Sequence, residues 1–151
     1  MSGFSLARLH ELATRLHDAI VRAEFSGPAA KLNNFPDEGC ELTCDLLGIY
    51  LHENGVSPLE KVVGDRPDGE PGRHAWIRAG DVTIDITAYQ FDGTDDAIIV
   101  TKQSPFHEQL DGEVVLWGLE GEDEGVHFRR MKDQYNLLWD GLYDYIITKI
   151  P

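Results

Sequence analysis

A chain of 151 residues, 42% hydrophobic and 26% charged, has the length of one domain and enough apolar content to bury a core without disulfide or metal staples. Its formal net charge of -14 argues against nucleic acid as a ligand, because such a surface repels a phosphate backbone and no Lys/Arg stripe offsets it. No apolar run approaches the roughly 20 residues that span a bilayer. Met1-Ser2-Gly3-Phe4 lacks the basic and apolar regions of an export signal, so a cytoplasmic protein with no membrane partner is expected.

In chain order, Leu9, Leu12, Ala13, Leu16, Ile20 and Ala23 recur at three and four between Phe4 and Glu24, the stripe of an amphipathic helix. Ser26-Gly27-Pro28 ends it, and the stretch to Pro36 reads as a loop. A second helix is expected from Asp37 as N-cap, with Cys40 at the third position of its first turn and Asn54-Gly55 as its stop. Leu46, Leu47, Ile49, Tyr50 and Leu51 give it a buried side. Cys44 lies one turn beyond Cys40 on the same face, where a disulfide between the two would be strained, so both are read as thiols in a reducing compartment.

Strands are expected at Glu60–Gly64, over Arg73–Arg78 and Asp81–Thr87, at Ala97–Thr101 and at Glu113–Trp117, with a Pro/Gly-rich loop from Asp65 to Gly72. The acidic run Glu120 to Gly125 reads as a hairpin tip completed by Val126–Met131. Tyr135, Leu138, Trp139, Leu142, Tyr143 and Ile146 follow helical spacing, although Gly141 interrupts it. Helices followed by several strands predict an α+β fold, an antiparallel sheet with the N-terminal and central helices packed on one side.

Strand alternation carries the chemical argument. If Ala75, Ile77, Val82, Ile84 and Ile86 share the core face, a two-residue loop at Ala79-Gly80 sets Arg78 opposite Asp81, Trp76 opposite Thr83 and His74 opposite Asp85. Directly opposed Cβ atoms lie about 4.5–5.5 Å apart, which suits an imidazole N–H donating to a carboxylate. A three-residue loop with a bulge is the competing turn and would put the two on opposite faces.

A thiol attacks as thiolate, and a helix N-terminus and a nearby imidazolium are the usual means of favouring that form. Cys40 has the first, His74 can supply the second, and Asp85 can orient the ring. Asp37, Glu38, Glu41 and Asp45 crowd the same helix start and oppose the thiolate unless they face solvent. Singly, Cys40 reads as a small buried hydrophobe and His74 as a satisfied structural residue. Their combination with Asp85 points to a nucleophile, a base and an orienter. Cys44 reads as packing. His10 and His17 read as a solvated helix face, and His52, His107 and His127 have no nameable partners. Trp76 either walls water from His74 or simply packs.

Gly39-Cys40, His74-Ala75-Trp76-Ile77 and Ile84-Asp85-Ile86-Thr87 together resemble the transglutaminase-like branch of the papain-like cysteine peptidase superfamily, over about Phe35 to Phe91. The size and Cys/His/Asp order are also similar to the small leader-peptide proteases of lasso-peptide pathways. The resemblance implies a papain/transglutaminase-like core spanning residues 1–151 as a single domain. It also implies a thiol-dependent hydrolase or acyltransferase, a cysteine protease or amidase among the options. In that reading Cys40 attacks an amide or ester, His74 shuttles the proton, Asp85 orients, and an acyl-enzyme passes to water or an amine. The backbone N–H of Cys40 and Asn34 are the candidate oxyanion donors, with Asn33 beside them, and Trp76 is a candidate substrate-site residue. No cofactor and no metal is expected. The partner is a peptide or protein substrate, a basic one suiting the acidic surface. The alternative is a non-catalytic acidic binding or immunity-type protein that retains the fold.

Overall fold

The computed structural model describes residues 4–118 and 120–151, so Met1, Ser2 and Gly3, read above for an export signal, lie outside the described residues. Helix α1 (Leu6–Arg22) begins where the Ser5 hydroxyl accepts the Arg8 N–H at 3.1 Å, satisfying one of the donors that a helix start leaves open. Its buried face, Leu9, Leu12, Ala13, Leu16, Ala19 and Ile20, is the stripe expected from the spacing. Residues Gly27–Asn34, expected as a loop, form a 3₁₀ helix that buries Ala29 and Leu32. Helix α2 (Cys40–Glu53) is buried from Leu42 to Leu51 except at the half-buried Asp45, and so runs through the interior with Glu41, Asp45 and His52 on its one polar side.

Strands β1 (Glu60–Asp65), β2 (Arg73–Ala79), β3 (Val82–Asp85), β4 (Ile99–Thr101) and β5 (Glu113–Val115) form one sheet in the order β4-β3-β2-β1-β5, every neighbouring pair antiparallel. The fold is α+β. One core joins α1, α2 and the C-terminal helices to Val63, Ala75, Ile77, Ala79, Val82, Ile84 and Ile86 of the sheet region. A second, smaller core lies on the other sheet face, where Val62, Trp76, Ala88, Phe91, Ile99, Phe106 and Leu110 pack under the one-turn helix α3 (Pro105–Glu108). Among the described residues no helix is long and apolar enough to cross a membrane.

Two expectations fail at the C-terminal end. Val126–Met131 is not a strand: it belongs to helix α4 (Glu124–Leu138). The acidic run ends in an N-cap, the Asp123 carboxylate accepting the N–H groups of Gly125 and Val126 at 2.9 and 3.2 Å. Phe128 and Met131, three apart, then share the buried side. The single helix expected from Tyr135 to Ile146 is broken at Asp140-Gly141, both at positive φ, and resumes as α5 (Leu142–Ile147).

The hairpin turn is also displaced. Ala79 pairs with Val82, Arg78 with Thr83 and Ile77 with Ile84, so the turn is Gly80-Asp81 rather than Ala79-Gly80. Gly80 takes the positive φ of +61° that the first turn position demands, which leaves Ala79 paired and buried. The displacement is two residues in the pairing, so no side chain changes face. Continued along the strands, this register puts Trp76 rather than His74 across from Asp85, and His74 reaches the carboxylate on the diagonal.

Candidate active site

Cys40 is the first residue of α2, not the third of its first turn. Gly39 precedes it at φ +83°, a conformation glycine adopts without a Cβ penalty, and its carbonyl accepts the Thr43 N–H at 2.7 Å. The chain therefore turns into the helix at Gly39, and Asp37 is not the cap. The Cys40 thiol is partly exposed and points its hydrogen at the Arg73 carbonyl 3.7 Å away, which docks the helix start on the beginning of β2. Of the acidic neighbours, Asp37, Glu38 and Glu41 are exposed. Asp45 is turned away, accepting from Lys61, from the Trp117 indole at 2.8 Å and from the Tyr135 hydroxyl at 2.6 Å.

His74 is fully buried on β2, its ring edge-on to Phe91 and close to Trp76. Its Nε2 donates to Asp85 Oδ2 at 2.6 Å, while the buried Nδ1 has no hydrogen-bond partner in good geometry. Burial alone pushes the ring toward neutrality. The Asp85 charge and hydrogen bond, with a smaller contribution from the Cys40 thiol on the other side, override it and push the His74 pKa up to about 9. Asp85, 2% exposed, shows the converse: burial raises its pKa, but the His74 charge and the hydrogen bonds from His107 and His74 hold the carboxyl well below the usual carboxylate range. Its second oxygen, Oδ1, accepts from the Thr87 N–H at 2.8 Å, the Thr87 hydroxyl at 3.2 Å and the Ala88 N–H at 3.1 Å.

The structure thus brings Cys40, His74 and Asp85 together and adds a member the sequence did not reveal. His107 Nε2 meets the same Asp85 oxygen at 2.7 Å, and Ser104 Oγ lies 2.5 Å from His107 Nδ1. Ser104-Pro105 is a readable helix start, Ser at the cap and Pro next, three residues before a histidine. What the sequence lacks is any sign that this turn folds back over β2 and β3.

Trp76 is 5% exposed and packs against His107, with ring centroids 4.7 Å apart. Glycine is required beneath it: a Cβ at Gly64 would lie 2.9 Å from the indole, and one at Gly112 2.8 Å. Asn34 is exposed and donates to the Glu38 side chain, while Asn33 straps the chain by bonding both the N–H and the carbonyl of Phe25. Cys44 is buried, and its burial pushes the thiol pKa well up, as suits a packing residue. Three other histidines have partners the sequence did not suggest. His17 is mostly buried between Asp18 and the Tyr89 hydroxyl, His52 meets Glu124, and His127 lies 3.6 Å from Glu122.

One ligand atom from each of His74, Asp85 and His107 lies within 4.8 Å of the others, the donor types a divalent cation takes. Both Nε2 atoms, however, lie 2.6 and 2.7 Å from one carboxylate oxygen, distances that two imidazole N–H donors satisfy with no ion between them. No protein-family model, curated protein or solved structure matches this chain.

Proposed function

We propose that the protein is a transglutaminase-like thiol hydrolase or acyltransferase acting on an amide or ester of a peptide or protein, with Cys40 as nucleophile, His74 as proton carrier and Asp85 as orienter. The observation that carries this reading is the polarity of His74. One nitrogen is fixed on an ionised, five-donor carboxylate, and the other is left bare on the side where the only nucleophile of the helix start sits. A rotation of the Cys40 side chain brings its sulfur from the Arg73 carbonyl to that nitrogen, whose N–H it then accepts as thiolate.

With Nδ1 of His74 protonated below about pH 9, Cys40 gives up its proton to solvent and pairs with the imidazolium as thiolate; sulfur attacks the carbonyl carbon while Asp85 holds the imidazolium. The oxyanion meets the Cys40 backbone N–H in the unsatisfied first turn of α2. Collapse expels the amine or alcohol, which takes the proton from Nδ1 and leaves a thioester. Water or an amine, deprotonated by the same nitrogen, attacks the thioester and returns the thiol. A basic substrate suits the charge of -14.

The test is acylation by p-nitrophenyl acetate followed by intact mass and peptide mapping. A burst of nitrophenolate with one acetyl group on Cys40, absent in Cys40→Ser and slowed in His74→Ala, is the expected result. Acetylation spread over lysines, with no burst, would refute the proposal.

A further inference from the structure

Asp85 accepts two imidazoles where an orienting carboxylate needs one. Both His74 Nε2 and His107 Nε2 lie on Oδ2, at 2.6 and 2.7 Å, and Oδ1 is occupied by the Thr87 and Ala88 donors. A carboxylate oxygen offers two in-plane lone pairs. With one given to His107, the direction open to His74 is fixed. His107 can serve this way only if Nε2 carries its proton, and Ser104 secures that arrangement: its hydroxyl lies 2.5 Å from Nδ1, while its oxygen accepts the His107 backbone N–H at 3.3 Å. The ring is clamped by Trp76 on one side and Phe106 on another, centroids at 4.7 and 5.1 Å, and is 5% exposed.

We propose that His107, fixed by Ser104, is a positioning residue of the site: its ring N–H holds Asp85 Oδ2 so that His74 meets a single lone-pair direction and aims Nδ1 at Cys40. The inference rests on the thiol acyl-transfer reading and deepens it, extending the chain of groups to Cys40, His74, Asp85, His107 and Ser104. The titratable groups facing Asp85 are His74 from β2, His107 from α3, and Cys40 and Cys44 from α2. His107 acts on this set by supporting the ionised carboxylate.

The experiment is the rate of Cys40 alkylation by iodoacetamide against pH in the full chain, for wild type, His107→Phe and His107→Gln. Phe keeps the ring between Trp76 and Phe106 but removes both nitrogens, whereas Gln places an N–H near the position of Nε2. Expected are a roughly tenfold slower reaction at pH 7 for His107→Phe, as His74 is no longer held to a single direction on Asp85, and recovery to within about threefold for His107→Gln. Equal rates in wild type and His107→Phe would overturn the inference and leave the Cys40/His74/Asp85 reading intact. A Gln variant as slow as Phe would overturn the hydrogen-bond role in favour of packing. A wild-type profile with no component dependent on His74 would overturn both. Ring ¹H–¹⁵N spectra of the wild-type chain give a check that needs no variant to fold: a slowly exchanging proton on His107 Nε2 is expected, and a ring protonated on Nδ1 alone overturns the inference.

Discussion

At the scale of single residues, Asp85 concentrates the electrostatics of the molecule. It is nearly inaccessible to water and yet ionised, because five donors replace the water it has lost. Asp85→Asn turns an amide N–H₂ toward two ring nitrogens or withdraws an acceptor from Thr87 and Ala88. Acylation of Cys40 is expected to fall about ten-thousandfold, the order seen when an orienting carboxylate is neutralised, measurable as the burst rate of nitrophenolate release. The same pair sets a pH dependence of stability. His74 has its folded pKa raised from 6.5 to about 9, so its contribution is complete below about pH 6.5 and is lost as pH rises through 9. Asp85 is depressed, so its share is present above about pH 4 and is lost as pH falls through its folded value. Urea unfolding at pH 6, 7.5 and 9 is expected to show stability falling on the order of 3 kcal/mol over that range from the His74 shift alone. His74→Phe is expected to flatten the decline, and an unchanged slope in that variant would remove the pair as its cause.

At the scale of elements, the site is the meeting of a helix start, a strand start and a hairpin diagonal. The start of α2 depends on Gly39, which holds φ +83° with Leu32 3.0 Å from where a Cβ would stand. Gly39→Ala meets both the left-handed backbone penalty and this contact. It is expected to destabilise the fold by about 1–2 kcal/mol in urea titration and to slow Cys40 acylation by moving the first turn of α2 relative to β2. A variant with wild-type stability would show that the turn is not held at this residue. The sequence made the hairpin legible in its faces but not in its register. Alternation of Ala75, Ile77, Val82, Ile84 and Ile86 put His74 and Asp85 on one side, and a two-residue displacement of the turn preserves that side. The turn position is not legible because Ala-Gly and Gly-Asp are both plausible pairs, and only the positive φ at Gly80 decides between them. Val126–Met131 reads as a strand only because the acidic run before it resembles a hairpin tip, whereas Asp123 in that run caps a helix.

At the scale of the whole molecule, the sheet separates two cores of unequal size, and the buried His74–Asp85–His107 group lies on the smaller side while Cys40, the proposed nucleophile, comes from a helix of the larger. Cys40, His74 and Asp85 were legible because each sits in a local pattern: a helix start or one strand of a hairpin. His107 was not, because its contact with Asp85 spans 22 residues and depends on how the segment after β4 folds over the sheet. Asn34 lies upstream of the cysteine as an oxyanion donor would, but its side-chain N–H is engaged with Glu38. The central claim is that Cys40 and His74 act as one unit, and alkylation of Cys40 by iodoacetamide as a function of pH, in wild type and His74→Ala, tests it most directly. The wild-type chain is expected to react across a plateau that begins well below the range of an ordinary thiol, about pH 8.5, and to lose that plateau in His74→Ala. Superimposable profiles rising only near that range in both chains would contradict it.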